Sequence, residues 1–145
     1  MTGNTIHGSA ILLGTKGVLI EGDSGSGKST LATALLRDWS SRGYFTRWVC
    51  DDQLSIKLGR NSVTAHAVET IAGKAEQRHV GIIDVPYVAS ARLDLIVSLV
   101  AEEKLERMPD ALYHPDFPDL PILHLPRVQT AINVALVTAR LEQET

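Results

Sequence analysis

The sequence predicts an α/β domain built on a mixed β-sheet, with one helix directly after a glycine-rich loop and a second helix at the C-terminus. Three observations carry this prediction. First, Gly22-Asp23-Ser24-Gly25-Ser26-Gly27-Lys28-Ser29 fits the pattern G-x-x-x-x-G-K-[ST] at every fixed position, which is the signature of a phosphate-binding P-loop. Its flanks suit the motif, with the apolar run Val18–Ile20 before it and the helix-forming run Leu31–Arg37 after it. Second, Ala10–Leu13 and Val18–Glu21 are strand-like runs split by Gly14-Thr15-Lys16-Gly17. That pairing reads as a hairpin, so the sheet is not purely parallel. Third, roughly seven strand-like runs stand against two helices.

Taken in order, the helix after the loop should run to about Trp39 and end in the turn-forming Ser40–Gly43. Thr46–Cys50 reads as a buried strand that delivers Asp51 and Asp52 at its end. Leu54–Leu58 and Val63–Ala67 form a further hairpin across Gly59–Ser62, and Ala72–His79 is polar and glycine-containing. Gly81–Val85 is another apolar strand, stopped by Pro86, and Leu93–Val100 has the Ile/Leu/Val density of an interior strand. Ala101–Pro121 reads as a long surface loop. Val128, Ile132, Leu136 and Ala139 fall at near-helical spacing, which predicts an amphipathic helix over Pro126–Glu142 with those residues facing the core.

Length and composition narrow the function classes. The 145 residues fit one domain, and 44% hydrophobic content is ordinary for a globular chain. A net charge of −3 gives no general electrostatic grip on nucleic acid or on an anionic membrane. The single cysteine, Cys50, forms no internal disulfide and suits a reducing cytoplasm, where it reads as a small buried apolar group. The N-terminus lacks the layout of a secretion signal, and no apolar run reaches bilayer length. A soluble cytoplasmic protein is expected.

The chemistry follows from the loop. Its glycines let successive backbone N–H groups curl round a phosphate, and the N-terminus of the next helix adds partial positive charge. Lys28 is placed to reach the terminal phosphates of ATP, and the Ser29 hydroxyl to ligate Mg²⁺. Phosphoryl transfer also needs a carboxylate at a neighbouring strand tip, which Asp51 and Asp52 offer. Adjacent carboxylates point in different directions, so one can hold Mg²⁺ while the other accepts a proton. In Ala75–Val85, Glu76 could complete the metal shell and Arg78 could neutralise phosphate or pair with an acid. Asp94 starts its strand rather than ending it, which argues against a metal role. Arg107 lies in the long loop, where it could clamp a phosphate, although spacing alone favours a plain surface arginine. The five histidines show no metal-ligand spacing; His7 alone is placed near the site, on an N-terminal strand expected beside the P-loop strand.

These segments together resemble the catalytic domain of the HPr kinase/phosphorylase family. The matching pieces are His7-Gly8, Gly17–Ile20 before Gly22–Ser29, Asp51-Asp52, and Glu76-x-Arg78-x-x-Gly81-Ile82-Ile83-Asp84-Val85. Ala91–Leu95 through Glu106–Pro109 is similar to the short alphaproteobacterial forms, which lack the N-terminal domain of long members. Thr30 stands where long members often carry an acidic residue, and His79 where the family usually has glycine. The resemblance implies a P-loop, phosphoenolpyruvate-carboxykinase-like fold and a serine-protein kinase. Its substrate would be HPr, the small phosphocarrier of the sugar phosphotransferase system. It also implies the reverse reaction, in which inorganic phosphate attacks phosphoserine and releases pyrophosphate. By position Asp51 would be the general base, Asp52 would act at the metal or lysine, and Ser29 and Glu76 would complete the Mg²⁺ site. Arg78 and His7 would join Lys28 in the catalytic group, Gly22–Thr30 would hold ATP, and copies of the chain would assemble.

Two other classes fit the same residues. A small-molecule kinase would carry a mobile arginine-rich lid, for which the sequence offers no clear segment. A non-catalytic nucleotide sensor would need the phosphate cradle but not a base.

Overall fold

The computed structural model describes residues 4–105 and 113–143. Along the chain run β1 (Asn4–His7), β2 (Ser9–Leu13), β3 (Lys16–Gly22), α1 (Lys28–Ser41), β4 (Thr46–Cys50), β5 (Gln53–Gly59) and β6 (Ser62–Ala67). They are followed by β7 (Lys74–Gln77), β8 (Gly81–Asp84), β9 (Ser90–Val100), α2 (Glu102–Leu105), β10 (Ile122–Pro126) and α3 (Thr130–Glu142). An eight-stranded sheet has the order β1-β5-β6-β9-β3-β2-β4, with β10 joined to β9, and β7 and β8 form a separate two-stranded sheet. β9 runs parallel to β3 and β10, while the β2–β3, β2–β4, β5–β6 and β6–β9 pairs are antiparallel. The sheet is mixed, as the two sequence hairpins require.

Both faces of the central strands are covered. Val18 and Ile20 of β3, with Leu95, Val97 and Leu99 of β9, pack under α1 and α3. Leu19 and Ile96 point to the other face, where the curled β5–β6 hairpin supplies Leu54, Ile56, Val63 and Ala65. Successive strand residues face opposite ways, so a strand buried on both sides reads as an unbroken apolar run. Each large aliphatic side chain buried in this way stabilises the fold by about 1.5–3 kcal/mol.

The register between β3 and β9 shifts by one residue, Gly17 facing Leu93 and Val18 facing Leu95. Asp94 is the extra residue of this bulge. Its Oδ2 accepts the Gly17 N–H at 2.9 Å, so the carboxylate is absorbed by the backbone; β9 begins at Ser90, so Asp94 lies within the strand and not at its start as expected. The backbones approach so closely here that a Cβ on residue 17 would lie 2.0 Å from the Arg92 carbonyl oxygen. Only glycine fits.

Four elements differ from the sequence expectation, the first being the short helix α2 (Glu102–Leu105) at the start of the segment read as a surface loop. β7 lies inside the segment read as merely polar, and β10 follows the expected loop directly; both are short strands of mixed polarity. The last helix begins at Thr130 rather than Pro126, because Pro126 closes β10 and Val128 takes a left-handed φ of 61°. Its buried face is Asn133, Val137 and Leu141, whereas Val128, Ile132 and Leu136 are exposed at 61%, 56% and 43%. Ala139 is exposed too. The rotation is set by α1, whose Trp39 Nε1–H donates to Thr138 Oγ1 at 3.1 Å. Among the described residues no helix is long and apolar enough to cross a membrane.

Candidate active site

The glycine-rich loop leaves β3 at Gly22 and enters α1 at Lys28. Gly25 and Gly27 take φ values of 82° and 95°, which a side chain would resist. Gly27 caps α1 without a side-chain hydrogen bond, and the first turn of α1 carries no acidic residue. The N–H groups and positive dipole end of α1 are thereby left to an anion. The loop is braced from within by Ser26 N–H on the Asp23 carbonyl at 3.0 Å, and from outside by Val128 N–H on the Ser26 carbonyl at 3.2 Å. Lys28 lies back along the loop, donating from Nζ to the Gly22 carbonyl at 2.8 Å and the Asp23 carbonyl at 3.2 Å.

β2 lies between β3 and β4 in the sheet, so the carboxylates that end β4 must reach the loop across one intervening strand. Asp51 does so underneath. It is 5% exposed, and its Oδ1 accepts the hydroxyls of Ser9 at 2.6 Å and Ser29 at 2.7 Å. Its Oδ2 accepts the Glu76 N–H at 2.9 Å. Charge-assisted bonds of this length satisfy a buried carboxylate. Asp52 turns the opposite way, with φ 71°, and is exposed.

A cleft of about 640 Å³ lies above the loop. It gathers His7, Gly22, Asp23, Ser24, Gly25, Gly27, Lys28, Ser29, Thr30, Asp52, Glu76 and Arg78. Two expected residues stay out of it. Ser26 is fully buried, and its hydroxyl has no partner among the described residues. Asp51, expected to serve as base, lies below the cleft and outside its lining, whereas Asp52 lines it. His7 reaches the cleft by another route than expected, since β1 pairs with β5 rather than with the P-loop strand. Arg107 lies outside the described residues. His79 keeps a left-handed φ of 70°, the conformation that glycine supplies most readily at that turn.

An adjoining cavity of about 540 Å³ shares His7, Gly22 and Asp23 and adds Glu21 and Arg127. Glu21 is held from behind by His114 Nε2 at 3.3 Å, while His114 Nδ1 accepts the Asp116 N–H at 3.0 Å. Cys50 is buried at the end of β4, and desolvation pushes its thiol above the usual range; it is a packing group, as read from the sequence. Ser9 was not legible as a site residue. Its only signal is a lone hydroxyl at the start of an otherwise apolar strand.

Residues 2–141 match the HPr Serine kinase C-terminal domain. An HPr kinase/phosphorylase of Bordetella pertussis is 34% identical over 131 residues, which are 81% of this chain and 40% of that protein. One from Caldanaerobacter subterraneus is 37% identical over 102 residues, 68% of this chain and 32% of the relative. The chain thus spans between about a third and two fifths of the length of these curated relatives. The solved structure of the Hpr(Ser) kinase/phosphatase from Coxiella burnetii superimposes with a TM-score of 0.75 at 28% identity, covering 98% of this chain and 99% of that one. With the family match running over nearly its whole length, the chain belongs to the HPr Serine kinase C-terminal domain family.

Proposed function

We propose that this chain is an ATP-dependent protein-serine kinase of the cytoplasm that phosphorylates the phosphocarrier protein HPr. The observation that carries the reading is the division of the aspartate pair. One carboxylate is buried under the P-loop serine, and the other is open to the cleft above it. A phosphate cradle alone would serve a sensor; a free carboxylate beside it suits proton transfer.

The donor set fits Mg²⁺. Ser29 gives its hydroxyl hydrogen to Asp51, which leaves its oxygen lone pairs for a cation, and the Glu76 and Asp52 side chains line the same cleft. Among the described residues no three His, Cys, Asp or Glu side chains converge on one point, and Mg²⁺ is commonly held by one or two protein groups plus substrate phosphates. When bound, Mg²⁺ would offset charge on the phosphates of ATP. Lys28 exchanges the Gly22 and Asp23 carbonyls for phosphate oxygens, and Arg78 adds a second positive charge at the cleft edge. Asp52, with His7 lining the same cleft, accepts the proton of the incoming serine hydroxyl as that oxygen bonds to the γ-phosphorus and ADP leaves. In the reverse direction inorganic phosphate attacks the phosphoserine phosphorus, pyrophosphate forms, and Asp52 returns the proton to the serine oxygen. Most of the rate comes from positioning and electrostatics. Copies of the chain are proposed to associate, with Val128, Ile132 and Leu136 as the available apolar surface.

The test is incubation with purified HPr, ATP and Mg²⁺, read by intact-mass spectrometry. A phosphoserine mass shift in the wild type that Asp52→Asn lacks supports the reading. Saturable ATP binding with no shift on HPr overturns it in favour of a nucleotide sensor.

A further inference from the structure

We propose that Ser9 is a positioning residue for this reaction, holding Asp51 so that Ser29 presents its oxygen to the cation. The inference rests on the function proposed above.

The sheet order leaves a gap that such a residue bridges. In β3-β2-β4 the phosphate loop and the acidic strand tip are separated by β2, and two strand spacings come to about 10 Å. Asp51 must therefore extend over the end of β2 to meet Ser29. Ser9 is the first residue of β2, paired with Ile20 of β3, and lies directly in that path. It is fully buried, and its hydroxyl donates to Asp51 Oδ1 at 2.6 Å across 42 residues of sequence. Most serines of secondary structure satisfy themselves on nearby backbone. Ser9 instead spends its one proton on a carboxylate.

The geometry at Oδ1 gives the role. That oxygen receives two hydroxyl hydrogens, from Ser9 and from Ser29, while Oδ2 receives the Glu76 N–H. Three donors from three elements fix the plane of the carboxylate. With the plane fixed, the Ser29 hydrogen can point only inward, and its lone pairs only outward to the cleft. Removal of Ser9 leaves Ser29 and the Glu76 N–H as the remaining donors, and the carboxylate is free to turn about them. Groups that orient a metal ligand in this way typically govern about 10-fold to 100-fold in metal affinity or activity.

The experiment compares wild type, Ser9→Ala and Ser9→Thr in two measurements. The first is HPr phosphorylation against Mg²⁺ concentration; the second is calorimetric ATP binding with and without Mg²⁺. Ser9→Ala is expected to raise the Mg²⁺ needed for half-maximal rate by about 10-fold. It should weaken ATP binding only when Mg²⁺ is present, with KM for HPr unchanged. Ser9→Thr keeps the hydroxyl and is expected within about 2-fold of wild type. Ser9→Cys keeps volume with a weak donor and replaces Ser9→Ala if that variant does not fold. An unshifted Mg²⁺ dependence in the folded Ala or Cys variant overturns the role of Ser9. If wild type leaves HPr unmodified, the function proposed above fails by itself, and the calorimetric Mg²⁺ dependence still decides the role of Ser9.

Discussion

On one side of the cleft, the floor made by β3, β2 and β4 holds Ser9, Ser29 and Asp51 in a buried hydrogen-bonded cluster over fully packed strands. On the other side, the β7–β8 hairpin leaves Val80 and Ile82 70% and 74% exposed. The hairpin is anchored by the buried Ala75 and by the Glu76 N–H on Asp51 Oδ2, and carries Arg78 and His79 at its turn. Its cross-strand pair Lys74–Asp84 is solvent-exposed, and such pairs add little to stability. The difference separates two demands of the phosphotransfer proposed above. Phosphate and cation need fixed donors, while a protein substrate must be admitted, held and released by a surface with little energy invested in its own shape. Side chains of the floor should therefore couple stability to chemistry, and those of the hairpin should not.

The largest expected effect comes from Asp52, the member of the aspartate pair that lines the cleft rather than the floor beneath it. Asp52→Asn should lower HPr phosphorylation by about 10³-fold, with ATP affinity and thermal midpoint near wild type. Nucleotide affinity falling in step with rate would instead make Asp52 a metal ligand. Next, Gly17→Ala forces a Cβ against the Arg92 carbonyl at 2.0 Å and should cost about 3 kcal/mol. A thermal melt should show a fall of roughly 6–12 °C. Asp51→Asn sets an amide N–H₂ among three donors. It should cost about 2 kcal/mol and remove Mg²⁺ dependence together with stability, which calorimetry and melting can separate from the Asp52 result. Ile82→Ser, on the hairpin, should shift stability by less than about 0.5 kcal/mol while raising KM for HPr. A large drop in melting temperature would show that the hairpin belongs to the floor after all. The smallest effect concerns Cys50. Burial raises its thiol, so the reactive thiolate is scarce at neutral pH, and Ellman's reagent should react slowly until denaturant is added.

The parts of the fold readable from sequence are those with a local cause. The glycine-rich loop, the two hairpins, α1 and β9 each carry their turn residues or apolar run within a few positions. The cleft residues Gly22–Gly25 and Gly27–Thr30 were legible for the same reason, whereas Glu76 and Arg78 carried a weak local signal and stood on the family resemblance. β10 was hidden because Ile122–Pro126 is short and bounded by Pro121 and Pro126. The face of α3 was hidden because apolar residues surround the helix: Ile132 and Leu136 on one side, Val137 and Leu141 on the other. Periodicity cannot choose between two apolar stripes; the position of Trp39 on α1 does. Which of Asp51 and Asp52 goes inward was hidden because neighbours at a strand tip point in opposite directions, and the turn at Asp52, not the sequence spacing, decides it. Ser9 has meaning only once β2 is known to lie between β3 and β4.

The bond from Val128 to the Ser26 carbonyl joins an early loop to one of the last connections made in the chain. During synthesis the loop is made together with β2 and β3, but its parallel neighbour β9 and the N–H that braces it come much later. β3 finds its parallel neighbour only when β9 has been made, a long-range pairing of the kind that slows folding. The glycine-rich loop therefore cannot take its final braced shape until Val128 has been made, about a hundred residues after the motif itself is complete.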